Sequence, residues 1–262
     1  MSQNSSEIID ADVGPKQPII RHNWMMLVIL PAWVFVGFFT AELLTGGLLW
    51  LAAAGGIALK SVNQSVLNAV IAAIVYLLTL AIVIIIPWFF RRRTIKIADF
   101  GLSRWPSWSD IFMAPAGFVV YIILSSLLIL LATHILPGFN PNQVQNTGFE
   151  HLVQGYEYIL AFTTLVIVAP IAEEILFRGY LFGKLKQYIP VWVAAIATSV
   201  LFGAIHGSWS VAVDTFALSL VLCYLRETTG SIWSSILLHM LKNGIAFYLL
   251  FIYPSLLTTL VR

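Results

Sequence analysis

Six residues with ionisable or amide side chains fall inside strongly apolar runs of this chain. They are Glu173, Glu174 and Arg178 in AEEILFRG, His206 in LFGAIHG, and His239 and Asn243 in LLHMLKNG. An ionisable group in hydrocarbon is costly, so such groups are usually paired and functional. Two carboxylates, two imidazoles, a carboxamide and a guanidinium form a set able to activate water and to hold the charge that develops when it attacks a carbonyl. Glu174 and Arg178 stand at i,i+4, so the guanidinium can neutralise one carboxylate, while Glu173 points about 100° away around the helix. One carboxylate becomes a structural anion and the other is left to act as a base. Phe202 and His206 share a helical face, which sets an apolar lid beside the imidazole. His239 and Asn243 share another, and it offers donors suited to an oxyanion.

Such groups must be carried to one depth by rigid elements. Pro190 reads as the hairpin turn between two helices, with Glu174 sixteen residues before it and His206 sixteen after. At about 1.5 Å of rise per residue, both lie roughly 24 Å from the turn and share a level. His239 follows Gly230 by about two helical turns, and Asn243 is one turn further on. Three helices can therefore converge their polar groups, with the level of the third least constrained.

The composition requires a membrane for these helices. Of 262 residues, 60% are hydrophobic and 10% charged, against roughly 25% charged in soluble domains. The fold class expected is all-α, a polytopic bundle of about seven or eight transmembrane helices. Residues 1–23 read as a polar tail and 24–262 as a single bundle, with a chemical core at 156–253. Candidate spans are Trp24–Leu44, Val66–Phe90, Ile111–Leu136, Tyr156–Lys186, Val191–His206, Val211–Leu225 and Ile232–Tyr253. Leu48–Leu59 is too short to cross alone; it is either re-entrant or an extension of the first helix through Gly46 and Gly47.

The net charge of +2 gives no reason to expect a nucleic-acid partner, and a lone Cys223 rules out an intrachain disulfide. Lys and Arg in short loops set the orientation. Lys16, Arg21, Arg91–Arg93, Lys96, Arg104, Lys184, Lys186 and Arg226 point to a cytoplasmic N-terminus, whereas Pro137–His151 has no Lys or Arg. The aromatic, basic segment Ile95–Asp110 is expected in the headgroup region, with substrate admission the lesser alternative. Glu42, Asp214 and Lys242 are expected to be structural, Lys242 by snorkelling. His22, His134 and His151 read as ordinary interfacial histidines.

Blander readings exist for each member of the set. The glutamates and Arg178 could belong to an interfacial amphipathic helix. His239 and Asn243 could be interhelical hydrogen-bond glue, and His206 beside Gly207 could mark a helix end. All three together would be a coincidence of residue types and levels.

The pieces E-E-x-x-x-R (Glu173–Arg178), F-x-x-x-H (Phe202–His206) and H-x-x-x-N (His239–Asn243) resemble the CPBP family. That group comprises CAAX prenyl endopeptidase type II enzymes and bacteriocin-processing or immunity proteins, also called the Abi family. The resemblance covers about Tyr156–Tyr253. It implies an intramembrane endopeptidase in which Glu173 and His206 activate water, His239 and Asn243 stabilise the oxyanion, and Glu174 and Arg178 position the first group. It also leaves open Zn²⁺ on Glu173, His206 and His239, a three-ligand set with an open position. The implied partners are membrane lipid and a membrane-associated peptide or protein; the small, minimal chain gives the plasma membrane of a bacterium as the expected location. The chain has no H-E-x-x-H, no G-x-G-D and no G-x-S-G, which argues against the zincin, presenilin and rhomboid types. Two non-proteolytic readings stand beside it: an immunity or scaffold protein of the same fold, and a small transporter relaying protons through Glu173, Glu174 and His206.

Overall fold

The computed structural model describes residues 23–91, 96–141, 143 and 147–256. The polar tail to residue 22, with Lys16, Arg21 and His22, lies outside the described residues, as do Arg92, Arg93 and Arg262. Among the described residues seven helices are longer than ten residues: α1 (Met26–Ala54), α2 (Gln64–Phe90), α3 (Trp108–Ile135), α4 (Gly155–Leu185), α5 (Val191–Ala204), α6 (Trp209–Thr229) and α7 (Trp233–Ile252). All but α5 are long and apolar enough to cross a bilayer, and no strand occurs among the described residues. The chain is thus an all-α, polytopic integral membrane protein. The outer faces of α1, α2 and α3 carry exposed Val, Ile, Leu and Phe, such as Phe35, Leu77 and Leu127, as a lipid-facing surface requires.

The first helix runs without a break through Gly46 and Gly47 to Ala54, so most of Leu48–Leu59 (Leu48–Ala54) extends it and is not re-entrant. Gly55 then caps the helix end, its N–H donating to Leu51 O at 2.8 Å. Pro190 sits at the N-cap of α5, as expected of a hairpin turn. Gly230, at φ 66°, ends α6 in the left-handed region that a side chain disfavours.

Each of three helices contains a wide, π-helical turn just ahead of a proline, and α4 has a second wide stretch, Ile175–Phe182, with no proline after it until Pro190. Thr163–Val168 precedes Pro170, Ala81–Ile85 precedes Pro87, and Tyr248–Ile252 precedes Pro254. The last wide bonds run Ala169 N to Thr164 O, Ile86 N to Ala81 O and Tyr253 N to Tyr248 O. In each case the next residue is proline, which has no N–H to continue the ladder and collides with the preceding turn unless that turn opens. The widening is the structural answer to the proline.

The buried core lies between α1, α4 and α5 (Phe177, Leu181, Phe182, Leu185, Phe202) and between α3, α6 and α7 (Tyr121, Leu218, Leu222, Leu225, Leu238). Gly203 lets α5 close on α6: a Cβ there would lie 2.7 Å from Ala212 O. The segment expected at the headgroups is docked as well as amphiphilic. Trp105 and Trp108 are 84% and 75% exposed. Gly101 O nevertheless accepts from Ile232 N at 3.1 Å and Ser231 Oγ at 2.9 Å, which ties the segment to the start of α7. Arg104 pairs with Asp110, and Asp110 Oδ1 accepts from Ser234 Oγ at 2.8 Å.

Candidate active site

Glu173 and Glu174 lie on the short α-helical stretch of α4 between two π-helical segments. Such insertions re-aim side chains and are common at functional sites. Glu174 and Arg178 are fully buried, and Arg178 Nη1 donates to Glu174 Oε1 at 2.9 Å. The same oxygen accepts from His239 Nδ1 at 2.9 Å. Arg178 also lies over the Phe202 ring, 4.4 Å from its centroid. Two buried charges in low dielectric are tolerable only when paired in this way. Glu174 is therefore the anion that locks α4 to α7.

Glu173 turns to a different neighbourhood. Its Oε1 accepts from Tyr76 Oη on α2 at 2.6 Å, and its Oε2 lies 3.8 Å from His239 Nε2. It is half-buried and lines a cavity of about 490 Å³ together with Tyr76, His206, Asp214, His239, Lys242 and Asn243. The lining extends from Pro141, Thr147 and Phe149 at one end of the bundle to Glu173. Five helices, α2, α3, α4, α6 and α7, contribute to it.

His206 follows the last turn of α5, and its Nδ1 lies 2.7 Å from Phe202 O. A carbonyl only accepts, so this nitrogen carries the proton and Nε2 of the neutral ring has the free lone pair. The same argument applies to His239, whose Nδ1 faces a carboxylate. No hydrogen bond or ion pair links His206 to Glu173. Phe202 is not a lid. It is fully buried beneath the site, edge-on to Phe177 at 4.9 Å, and in contact with His206 at 5.0 Å and His239 at 5.9 Å.

Asn243 Nδ2 donates to Leu165 O at 2.9 Å. Leu165 O is the carbonyl that the wide turn would next have bonded, had residue 170 not been proline. The carboxamide thus takes over a backbone group that the helix leaves open, and one amide hydrogen remains for the cavity.

All six expected residues therefore meet in one place. Glu174 and Arg178 sit behind the cavity wall, and Glu173, His206, His239 and Asn243 line it. Tyr76 escaped the sequence reading, although a phenol in an otherwise aliphatic stretch of α2 was the signal available. Lys242 is not snorkelling: it lines the cavity 3.5 Å from Asp214. Glu42 is exposed on α1, away from the site. Among the described residues no three His, Cys, Asp or Glu side chains are gathered as metal ligands. Glu173, His206 and His239 have donor types that suit zinc, but they are not assembled around a common point.

A helix bundle with a polar, carboxylate- and imidazole-lined cavity within its spans defines the class: an integral membrane protein with a built site inside it. Residues 155–245 match the family described as "Type II CAAX prenyl endopeptidase Rce1-like". The chain is 34% identical over 77 residues to "Putative membrane peptidase YdiL" of Bacillus subtilis (strain 168), covering 29% of this chain and 32% of that protein. It is 32% identical over 89 residues to an "Uncharacterized 24.3 kDa protein" of Escherichia coli, 32% of this chain and 41% of that one. It is 25% identical over 169 residues to "UPF0177 protein YxdF" of Lactococcus lactis subsp. lactis (strain IL1403), 63% of this chain and 88% of that one. The matched stretches span less than half the length of the first two relatives. No solved structure matches the chain. Over its late helices the chain is therefore similar to the CAAX prenyl endopeptidase type II-like membrane proteins, the group to which its sequence motifs point.

Proposed function

We propose that the protein is an intramembrane endopeptidase in which Glu173 activates water. The observation that carries this reading is the placement of Glu173: a carboxylate anchored by Tyr76, beside an imidazole, on the wall of a cavity inside membrane helices. A water held between Glu173 Oε2 and His239 Nε2 gives its proton to Glu173, and its oxygen bonds to the peptide carbonyl carbon. The remaining amide hydrogen of Asn243 meets the oxyanion, and His239 or His206 adds a second N–H donor when its Nε2 is protonated. The carbon–nitrogen bond then breaks, and Glu173 returns the proton to the leaving amine. Glu174 and Arg178 act through His239, which they hold in place.

The substrate class this reading supports is a membrane-associated peptide or protein, with a prenylated CAAX-like C-terminus or a leader peptide as the candidates, in the plasma membrane of a bacterium. Zinc held by Glu173, His206 and His239 is the second mechanism, and it requires these side chains, which are not gathered as ligands in the structure, to draw together. It is favoured by both imidazoles using Nδ1 toward an acceptor, the arrangement that orients a ligating Nε2. Bound there, the ion would supply Lewis-acid activation of water.

The test is cleavage of prenylated and unprenylated peptides by detergent-purified wild type and Glu173→Gln, with and without a chelator. Cleavage should fall by at least about 100-fold in the variant, as for loss of a general base. Cleavage that survives Glu173→Gln removes Glu173 as the base. A chelator that abolishes wild-type cleavage favours zinc. A Glu173→Gln protein that keeps its biological effect in cells supports the scaffold reading instead.

A further inference from the structure

Beyond Glu173, the same cavity carries a second polar cluster that the proposed chemistry does not use. Asp214 on α6 and Lys242 on α7 both line it, with side chains 24% and 21% exposed. Asp214 Oδ1 accepts from Tyr121 Oη and Ser125 Oγ of α3, each at 2.6 Å. Two hydroxyls thus fix the carboxylate from behind. Its Oδ2 lies 3.5 Å from Lys242 Nζ. A charge-assisted hydrogen bond closes to about 2.7–2.9 Å, so the ammonium is near its counter-ion but not seated on it. An ammonium has three N–H donors, and Asp214 is the one anion that Lys242 meets among the described residues.

The position of Lys242 gives this cation a meaning. It follows His239 by three residues on the same helical face, about 4.5 Å further along the axis. One or two residues of extended peptide, at about 3.3 Å each, cover that distance. A lysine serving only helix anchoring would run to the interface, whereas this one faces the space where a peptide would lie.

We propose that Lys242, steadied by Asp214, is a carboxylate-binding subsite. It recognises a carboxylate on the peptide, from the chain's C-terminus or an acidic side chain, within a few residues of the bond presented to Glu173. The inference rests on the peptide-cleaving reading of the cavity. The incoming carboxylate takes the ammonium's free donors, while Asp214 remains bound to Tyr121 and Ser125. An amidated peptide without acidic side chains offers no such partner.

Binding can be read without turnover. A short apolar peptide, fluorescently labelled at its amino end, is prepared as the C-terminal acid, as the amide, and as the amide with one Asp near that end. Each is titrated by anisotropy against detergent-purified Glu173→Gln protein, alone and combined with Lys242→Met, Lys242→Gln or Lys242→Arg. The acid or the Asp-bearing form should bind at least about tenfold tighter than the plain amide. The difference should vanish with Met or Gln and persist with Arg; two neutral variants guard against one misfolding. Preference for the acid alone assigns the C-terminus, and preference for the Asp form assigns a side chain. Equal binding of all three forms, a preference that survives both neutral variants, or no binding at all would overturn the subsite. Wild-type cleavage is scored separately. A charge preference without cleavage counts against the endopeptidase reading alone, and cleavage without the preference counts against the subsite alone.

Discussion

Glu173 and Glu174 are neighbours in sequence, yet their surroundings make them different chemical objects. Glu174 has no exposure and a guanidinium and an imidazole on one oxygen; Glu173 has a phenol and an open cavity. The first is a structural charge, so its loss of partner should appear in stability. Arg178→Ala leaves a buried carboxylate with only His239 beside it. The expected cost is about 3–5 kcal/mol, the usual penalty for breaking a buried pair. Thermal or denaturant unfolding in detergent checks this, with a nearby exposed substitution such as Tyr224→Phe as the control expected to be neutral. A loss below about 1 kcal/mol would mean that the pair does not hold α4 against α7. The hydrogen bond from Tyr76 to Glu173 and the cavity position of Lys242 show that the polar network extends beyond the motif residues.

At the scale of the element, proline placement is what shapes the site. Pro170 ends the wide turn of α4 and leaves Leu165 O without its next backbone donor, and Asn243 of α7 supplies one. The two helices are therefore joined by a side chain answering a backbone need. Asn243→Ala should cost about 1–3 kcal/mol by leaving that carbonyl unsatisfied. Pro170→Ala, which restores an N–H to α4, should recover part of the loss in the double variant. A double-mutant cycle followed by unfolding in detergent reads this coupling directly. Strict additivity would show that the carbonyl is not the shared partner. Gly203 has the matching role on α5, where its missing side chain permits the approach to α6 that seats Phe202 and His206.

At the scale of the whole molecule, charge and cavity lie along one axis. Asn23 N donates to Tyr188 O at 2.9 Å, Lys186 Nζ meets Glu227 at 2.6 Å, and Gly101 O accepts from Ile232 N. The start of α1 and the segments around residues 101, 188 and 230 therefore share one end of the bundle. Lys96, Arg104, Lys184, Lys186 and Arg226 belong to this end, while among the described residues the opposite end carries Lys60 alone. The positive-inside rule predicts that the basic end is cytoplasmic, which would turn the cavity lining at Pro141, Thr147 and Phe149 to the other side. Cys223 is buried and is the chain's one cysteine, so introduced cysteines can report topology cleanly. His151→Cys should react with an impermeant maleimide on intact cells, and Gln187→Cys only after permeabilisation. The reverse pattern would invert the orientation.

Much of this was legible in the linear chain. Apolar length defines spans whatever their neighbours, because backbone in hydrocarbon must bond to itself. The i,i+4 spacing of Glu174 and Arg178, and their level with His206 across Pro190, follow from helical rise alone. The sequence therefore determined an all-α membrane bundle and the six polar residues at its centre. Only the tertiary structure decided what depends on which helices touch. It brought Tyr76 of α2 to Glu173, turned Phe202 from a lid into a buried wedge, and aimed Asn243 at Leu165 O. It also drew Lys242 into the cavity beside Asp214. Those partners are up to about a hundred residues apart in the chain. No local periodicity encodes them; packing of one helix face against another does.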